Sequence, residues 1–270
     1  MLRCVRVGIV QMTSTADLAA NLACARALVT EAAERGAGWV ALPENFAYLR
    51  REGTPIPCAQ GLDGAIVGFL REEARRHRIW LLGGSFPEAS ADGRVHNTSV
   101  LVSPDGELAA LYRKIHLFDV DLGAQGGGVY RESATVAPGK EVVAAETPFG
   151  VVGLSVCYDL RFPELYRALA ARGARFLAVP SAFAPETGRD HWEVLLRARA
   201  VENQCFVVAP AQWGRHHPDR ASHGRAMIVD PWGIVLAVAP DRPCAVVADC
   251  DPAHQDAIRA GLPVLAHRRL

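Results

Sequence analysis

Short β-branched runs and longer helix-like stretches alternate along this chain in one order, and the order occurs twice. Strand patterns at Val5–Gln11, Trp39–Pro43, Ile79–Ser85 and Thr98–Ser103 are interleaved with helix patterns at Leu18–Arg35 and Ala65–His77. From Val151 the order returns. Strands fall at Val151–Cys157, Phe176–Pro180, Cys205–Ala211 and Ala226–Asp230, with helices at Pro163–Arg172 and Arg189–Asn203 and a last strand at Cys244–Asp249. The first helix has Asp17 as its N-cap and stops at Gly36. Each half turns back through similar chemistry, Ser-Pro-Asp-Gly at Ser103–Gly106 and Asp-Pro-Trp-Gly at Asp230–Gly233, which fits a type I turn. Two related βαβαββ halves predict two sheets, each with helices on one face, packed as a four-layer αββα sandwich of the α/β class. A single doubly wound sheet fits the same pattern.

The 270 residues are half hydrophobic, enough to bury one core, and no low-complexity linker or charge block divides residues 1–270, so one domain is expected. Lys plus Arg equals Asp plus Glu at 29 each. Without a basic field, no nucleic-acid partner is expected; near-zero net charge is compatible with a homodimer or higher homo-oligomer. No stretch approaches the roughly 20 apolar residues of a membrane span, and the first residues lack a secretory pattern. Seven scattered cysteines without a CxxC argue against a disulfide scaffold or zinc ribbon and point to a reduced, cytoplasmic protein. His216, His217 and His223 lack metal-ligand spacing, so no metal and no organic cofactor is expected.

For Cys4, Cys24, Cys205, Cys244 and Cys250, the ordinary reading is a small buried apolar residue. Cys157 differs. It ends an apolar strand, Pro163 opens a helix soon after, and Asp159, Arg161 and Glu164 lie between or beside them. A thiol at such a turn is exposed to attack a carbonyl, and a following backbone N–H can face an oxyanion. It needs a base and a charge stabiliser, yet no histidine is near in sequence. Glu44 ends the buried run Trp39–Glu44, and Lys114 sits among apolar residues in Leu111–Asp119.

Together these segments resemble the nitrilase superfamily of carbon–nitrogen hydrolases. The resemblance rests on Pro43-Glu44, on Tyr-Arg-Lys-Ile-His-Leu-Phe-Asp at 112–119, and on Cys-Tyr-Asp-Leu-Arg-Phe-Pro-Glu at 157–164, and it extends through Asp230–Gly233 to Leu262–Val264. It implies the αββα sandwich, an amidase-type activity on a small amide, and a Glu44, Lys114, Cys157 triad. Glu44 would serve as base, with Lys114 and the N–H of Tyr158 holding the oxyanion. Burial of Glu44 would help it carry a proton near neutral pH. The resemblance further implies that Glu132, in Tyr-Arg-Glu-Ser, orients and relays.

The segments Pro180–Phe183, Thr187–Glu193, Leu195–Gln204, Ala211–His217 and Arg220–Gly224 look most like the branch of that family containing deaminated glutathione amidase. The sister ω-amidase branch, acting on α-ketoglutaramate, is the alternative; nitrile or ureido-acid hydrolysis is a further one. Ser181, Ala182, Phe183 and His191 are the expected substrate neighbours. Arg161 would either hold a substrate carboxylate or pair with Asp159 or Glu164. The Gly123–Gly128 loop departs from the family pattern.

Overall fold

The structure is a computed structural model describing residues 3–51 and 53–269. The first half runs β1 (Val5–Met12), α1 (Leu18–Glu34), β2 (Trp39–Ala41), α2 (Ala65–His77), β3 (Trp80–Leu82), β4 (Phe86–Ala89), β5 (Val95–Val102) and β6 (Leu108–Arg113). A small hairpin, β7 (Asp119–Asp121) with β8 (Val129–Arg131), and the short β9 (Ala144–Ala145) lead into the second half. There β10 (Val151–Leu154), α3 (Pro163–Ala171), β11 (Ala174–Ala178), α4 (Pro185–Asn203) and β12 (Phe206–Ala209) precede β13 (Ala211–His217), β14 (Arg220–His223), β15 (Met227–Val229) and β16 (Val235–Val238). The chain closes with β17 (Cys244–Cys250) and α5 (Pro252–Gly261).

The repeat is visible in the pairing. β1, β2 and β3 are parallel, β5 runs antiparallel to β3, and β6 antiparallel to β5. β10, β11 and β12 are likewise parallel, followed by antiparallel β15 and β16. In both closing hairpins a glycine N–H donates back across the turn, Gly106 to Ser103 at 2.8 Å and Gly233 to Asp230 at 2.9 Å. Their φ values of 78° and 89° suit a residue without Cβ.

Side-chain alternation sorts the layers. Val7, Ile9, Trp39, Ala41 and Leu101 share a buried cluster with Val152, Leu154 and Phe176 of the second sheet. The Trp39 ring lies 5.3 Å from Phe149 and 5.5 Å from Phe176. Val10, Met12, Val40, Leu42 and Val100 turn the other way, onto Ala25, Val29 and Ala32 of α1 and Ile66, Val67 and Leu70 of α2. A Cβ on Gly153 would stand 3.0 Å from Leu169, so α3 lies against the opposite face of the second sheet. The order is helices, sheet, sheet, helices, and the doubly wound alternative is set aside.

Two departures from the sequence pattern matter for the site. The expected strand Cys205–Ala211 breaks at Pro210, which has no N–H to continue a ladder. Phe206–Ala209 stays in the second sheet, while β13 crosses to pair in parallel with β1 at Gln11↔Ala211. Helix α4 starts at Pro185, a turn earlier than Arg189, because Pro serves as its first residue. No helix among the described residues is long and apolar enough to cross a membrane.

Candidate active site

Strand ends from both sheets converge on one pocket. Glu44 follows β2, and its loop is held from below. Ser85 Oγ accepts from the Asn45 N–H at 3.0 Å, and Gln212 Nε2 donates to the Glu44 carbonyl at 3.0 Å. Gly84 is required here: at φ 45° a Cβ would stand 2.0 Å from the Pro43 carbonyl oxygen. Lys114 follows β6, its N–H donating to the Asn97 carbonyl at 2.9 Å. Glu132 opens a 3₁₀ turn after β8. Cys157 opens another, Cys157–Arg161, with φ 50° and an N–H donated to the Pro180 carbonyl at 2.9 Å.

The four side chains meet. Lys114 Nζ donates to Glu44 Oε1 at 3.0 Å and to Glu132 Oε2 at 2.9 Å. Asn97 Nδ2 bridges the same two carboxylates, 2.9 Å from Glu44 and 3.1 Å from Glu132. The other Glu44 oxygen accepts from the Ala182 N–H at 2.9 Å, and Glu132 Oε2 accepts from the Phe118 N–H at 2.7 Å. Cys157 lines the same pocket as Glu44, Lys114 and Glu132. Glu44, Lys114 and Cys157 are only 3%, 2% and 8% exposed.

Burial alone would push the Glu44 carboxyl up. The charge of Lys114 and hydrogen bonds from Lys114 and Asn97 overcome it and hold the group below its ordinary value. The expectation that burial keeps a proton on Glu44 is therefore corrected. Burial likewise opposes charge on Lys114, but Glu132 and Glu44 raise it well above its ordinary value. Burial drives the Cys157 thiol well above the usual range, and the Glu44 charge adds to this against Lys114. The resting site thus pairs a neutral thiol with an ionised Glu44. An ultraviolet difference spectrum between the native chain and Cys157→Ala at neutral pH should show no thiolate band; a full band would overturn this assignment.

The pocket has about 990 Å³ of free space counted out to its open mouth. Among its lining residues are Ala182 and Phe183, the Tyr158 backbone turn, and three arginines, Arg50, Arg161 and Arg220. Tyr158 occupies the second position of its turn, where no intrahelical acceptor reaches its N–H. Arg161 pairs with neither Asp159 nor Glu164 among the described residues. Its guanidinium lies 5.1 Å from the Phe183 ring and 5.9 Å from Tyr158, with Nη1 3.2 Å from His191 Nδ1. His191 is exposed and stands behind Arg161, outside the pocket lining.

Ser181 is a correction. It is fully buried, with Oγ donating to the Val179 carbonyl at 3.0 Å and N–H to Pro210 at 3.0 Å, so it faces away from the pocket. The Gly123–Gly128 loop caps the β7–β8 hairpin, and Phe118 and Tyr130, rather than the loop glycines, reach the pocket. His216 bonds to the Ser14 carbonyl and Ser222, and His217 to the Leu49 carbonyl. Asn97 and Gln212 escaped the sequence reading. The polar run His96–Ser99 inside a strand was the signal for the first.

The carbon–nitrogen hydrolase family model matches residues 6–260. A deaminated glutathione amidase from Synechocystis sp. is 46% identical over 262 residues, covering 96% of both chains. The human protein of that name is 44% identical over 269 residues, spanning 97% of this chain and 82% of the relative. Among solved structures, Saccharomyces cerevisiae Nit3, a member of the nitrilase superfamily, superposes with a TM-score of 0.87 at 30% identity, covering 99% of this chain and 97% of that one. A match of this length, over a sandwich that brings Glu44, Lys114 and Cys157 to one pocket, places the chain in the carbon–nitrogen hydrolase family as a hydrolase of amide carbon–nitrogen bonds.

Proposed function

We propose that this chain hydrolyses deaminated glutathione through a thioester on Cys157. The observation carrying the reading is the convergence of Cys157 with Glu44 and its partner Lys114, bonded at 3.0 Å, in one pocket that three arginines also line. The names of the similar amidases supply the substrate, which carries a carboxylate at each end. An arginine fork suits such groups.

Glu44 takes the thiol proton as Sγ bonds to the amide carbon. The carbonyl oxygen becomes an oxyanion facing Lys114 Nζ and the Tyr158 N–H. Glu44 returns its proton to the nitrogen, the carbon–nitrogen bond breaks, and the amine leaves. A water then gives its proton to Glu44 while its oxygen bonds to the thioester carbon. The carbon–sulfur bond breaks, the acid is released, and the proton passes back to Cys157. Glu132, in the pocket lining, orients Lys114 by accepting from its Nζ at 2.9 Å and relays protons.

A homo-oligomer and a cytoplasmic setting belong to the same reading. Balanced charge supports the first, and seven unpaired cysteines support the second. The deciding experiment compares kcat/KM for deaminated glutathione and α-ketoglutaramate. The former has one carboxylate more, and a charge-assisted contact is worth roughly 1.5–3 kcal/mol, so a preference of about tenfold or more is expected. Equal or reversed preference would move the assignment to the ω-amidase reading.

A further inference from the structure

Lys114 and Cys157 hang from different sheets, one after β6 and the other after β10. Their alignment must be fixed to a fraction of an ångström if the thiol and the oxyanion cation are to serve one carbonyl. The group joining the two segments is a carboxylate outside the pocket lining. Asp159 is fully buried. Its Oδ1 accepts from the His116 N–H at 3.0 Å and from His116 Nδ1 at 2.7 Å. Its Oδ2 accepts from the Tyr112 hydroxyl at 2.6 Å and from the Val156 N–H at 2.8 Å. Tyr112 and His116 stand two residues either side of Lys114, and Val156 immediately precedes Cys157.

We infer that Asp159 is a positioning residue: it fastens the turn carrying the Cys157 nucleophile to the segment carrying Lys114, and so sets the rate of acylation without contacting substrate. The inference rests on the catalytic reading of Cys157 and Lys114.

Three observations support it. Cys157 has φ 50°, a region that non-glycine residues hold only when their surroundings enforce it. The Val156 and His116 backbone bonds supply that enforcement from both sides. The Tyr112 phenol stays protonated, because burial and the nearby Asp159 charge raise it well above its ordinary value. Finally, the His116 ring stacks on Phe162, centroids 3.7 Å apart at 6°, and the Phe162 N–H donates to the Asp159 carbonyl at 2.9 Å, closing the far end of the same turn.

Asp159→Asn tests the idea. All four partners donate, so either orientation of the amide turns an NH₂ toward two donors, one of them a backbone N–H that cannot reverse. The expected result is a fall in kcat of about 100-fold with KM within about twofold, since a misplaced reacting group costs this much without altering the pocket. Gln255→Met is the control for mere destabilisation. Gln255 is fully buried and bonded to the Arg175 and Gln204 carbonyls, at the opposite end of β11 from Pro180, and should keep kcat. If Asp159→Asn does not fold, Tyr112→Phe removes one strut at constant ring volume and should lower kcat about tenfold with KM unchanged. Unchanged kcat in the folded variant, or a fall matched by the Gln255 control at equal loss of stability, overturns the inference. Turnover retained by Cys157→Ala would instead overturn the catalytic reading beneath it.

Discussion

Cys157→Ala should lose turnover by roughly five to six orders of magnitude while its folding stability barely changes. The size of the loss follows from covalent catalysis: removing a nucleophile whose partners act with it as a unit leaves only what oxyanion binding and orientation provide. The stability follows from the site. Glu44 keeps its contacts with Lys114 at 3.0 Å, Asn97 at 2.9 Å and the Ala182 N–H at 2.9 Å, so the carboxylate is not stranded. Alanine at φ 50° is no more strained than cysteine, and the missing sulfur enlarges a pocket that is already open. Steady-state assay and thermal unfolding of the same preparation check both halves. Residual activity above about one part in a thousand would exclude Cys157 as the nucleophile.

Lys114→Met should damage both folding and activity. The ammonium is 2% exposed and lies between two carboxylates, Glu44 and Glu132. Removing one partner of a buried ion pair costs about 3–5 kcal/mol, because the remaining charges are left without compensation. The pH dependence has a defined sign. In the native chain Glu44 is held below its ordinary value of 4.5, so its stabilising contribution is present above that pH and lost as pH falls through the lower folded value. Lys114 lies above its ordinary 10.5, so its contribution is present below that pH and lost as pH rises through the folded value. In the variant, burial acts on Glu44 without the opposing cation, and the carboxyl binds a proton more readily. Activity should fall at least 100- to 1,000-fold from the missing oxyanion donor. What remains should recover as pH is raised, while the native enzyme stays flat over the same range. Urea unfolding and a pH–rate profile test this directly, and an unchanged acid limb would contradict the ion-pair account.

Much of the architecture was legible because periodicity and chain punctuation agreed. Ala65–His77 is the observed α2, and the Asp17 cap was readable from its side chain, which accepts from the Ala20 N–H. The doubled order of strands reappears as doubled pairing. Other elements were invisible for identifiable reasons. β6, which delivers Lys114, reads Leu-Ala-Ala-Leu-Tyr-Arg and lacks the β-branched residues that mark a strand. β4 contains Pro87, and β13 ends in Arg-His-His, so neither resembles a core strand. At the site, residue types were readable but fields were not. Whether burial or Lys114 governs Glu44 depends on contacts between residues far apart in sequence. Ser181 failed for a simpler reason: its hydroxyl is spent on the Val179 carbonyl inside the core, and the pocket lining begins one residue later, at Ala182.

The pairing of β17 with β1 bears on how this protein is made. Val5 lies opposite Cys250, and Arg6 bonds to Asp249 across a separation of 243 residues. At about 5–20 residues per second, a ribosome takes roughly ten to fifty seconds to travel between those two points. Throughout that interval one edge of β1 lacks the partner it finally takes, and the apolar row Val7 and Ile9 cannot yet meet its counterpart in the second sheet. The first half therefore matches the second in topology without being a unit that can finish folding first. Its completion waits for the last strand to be synthesised, and a nascent chain must be shielded from edge pairing until then.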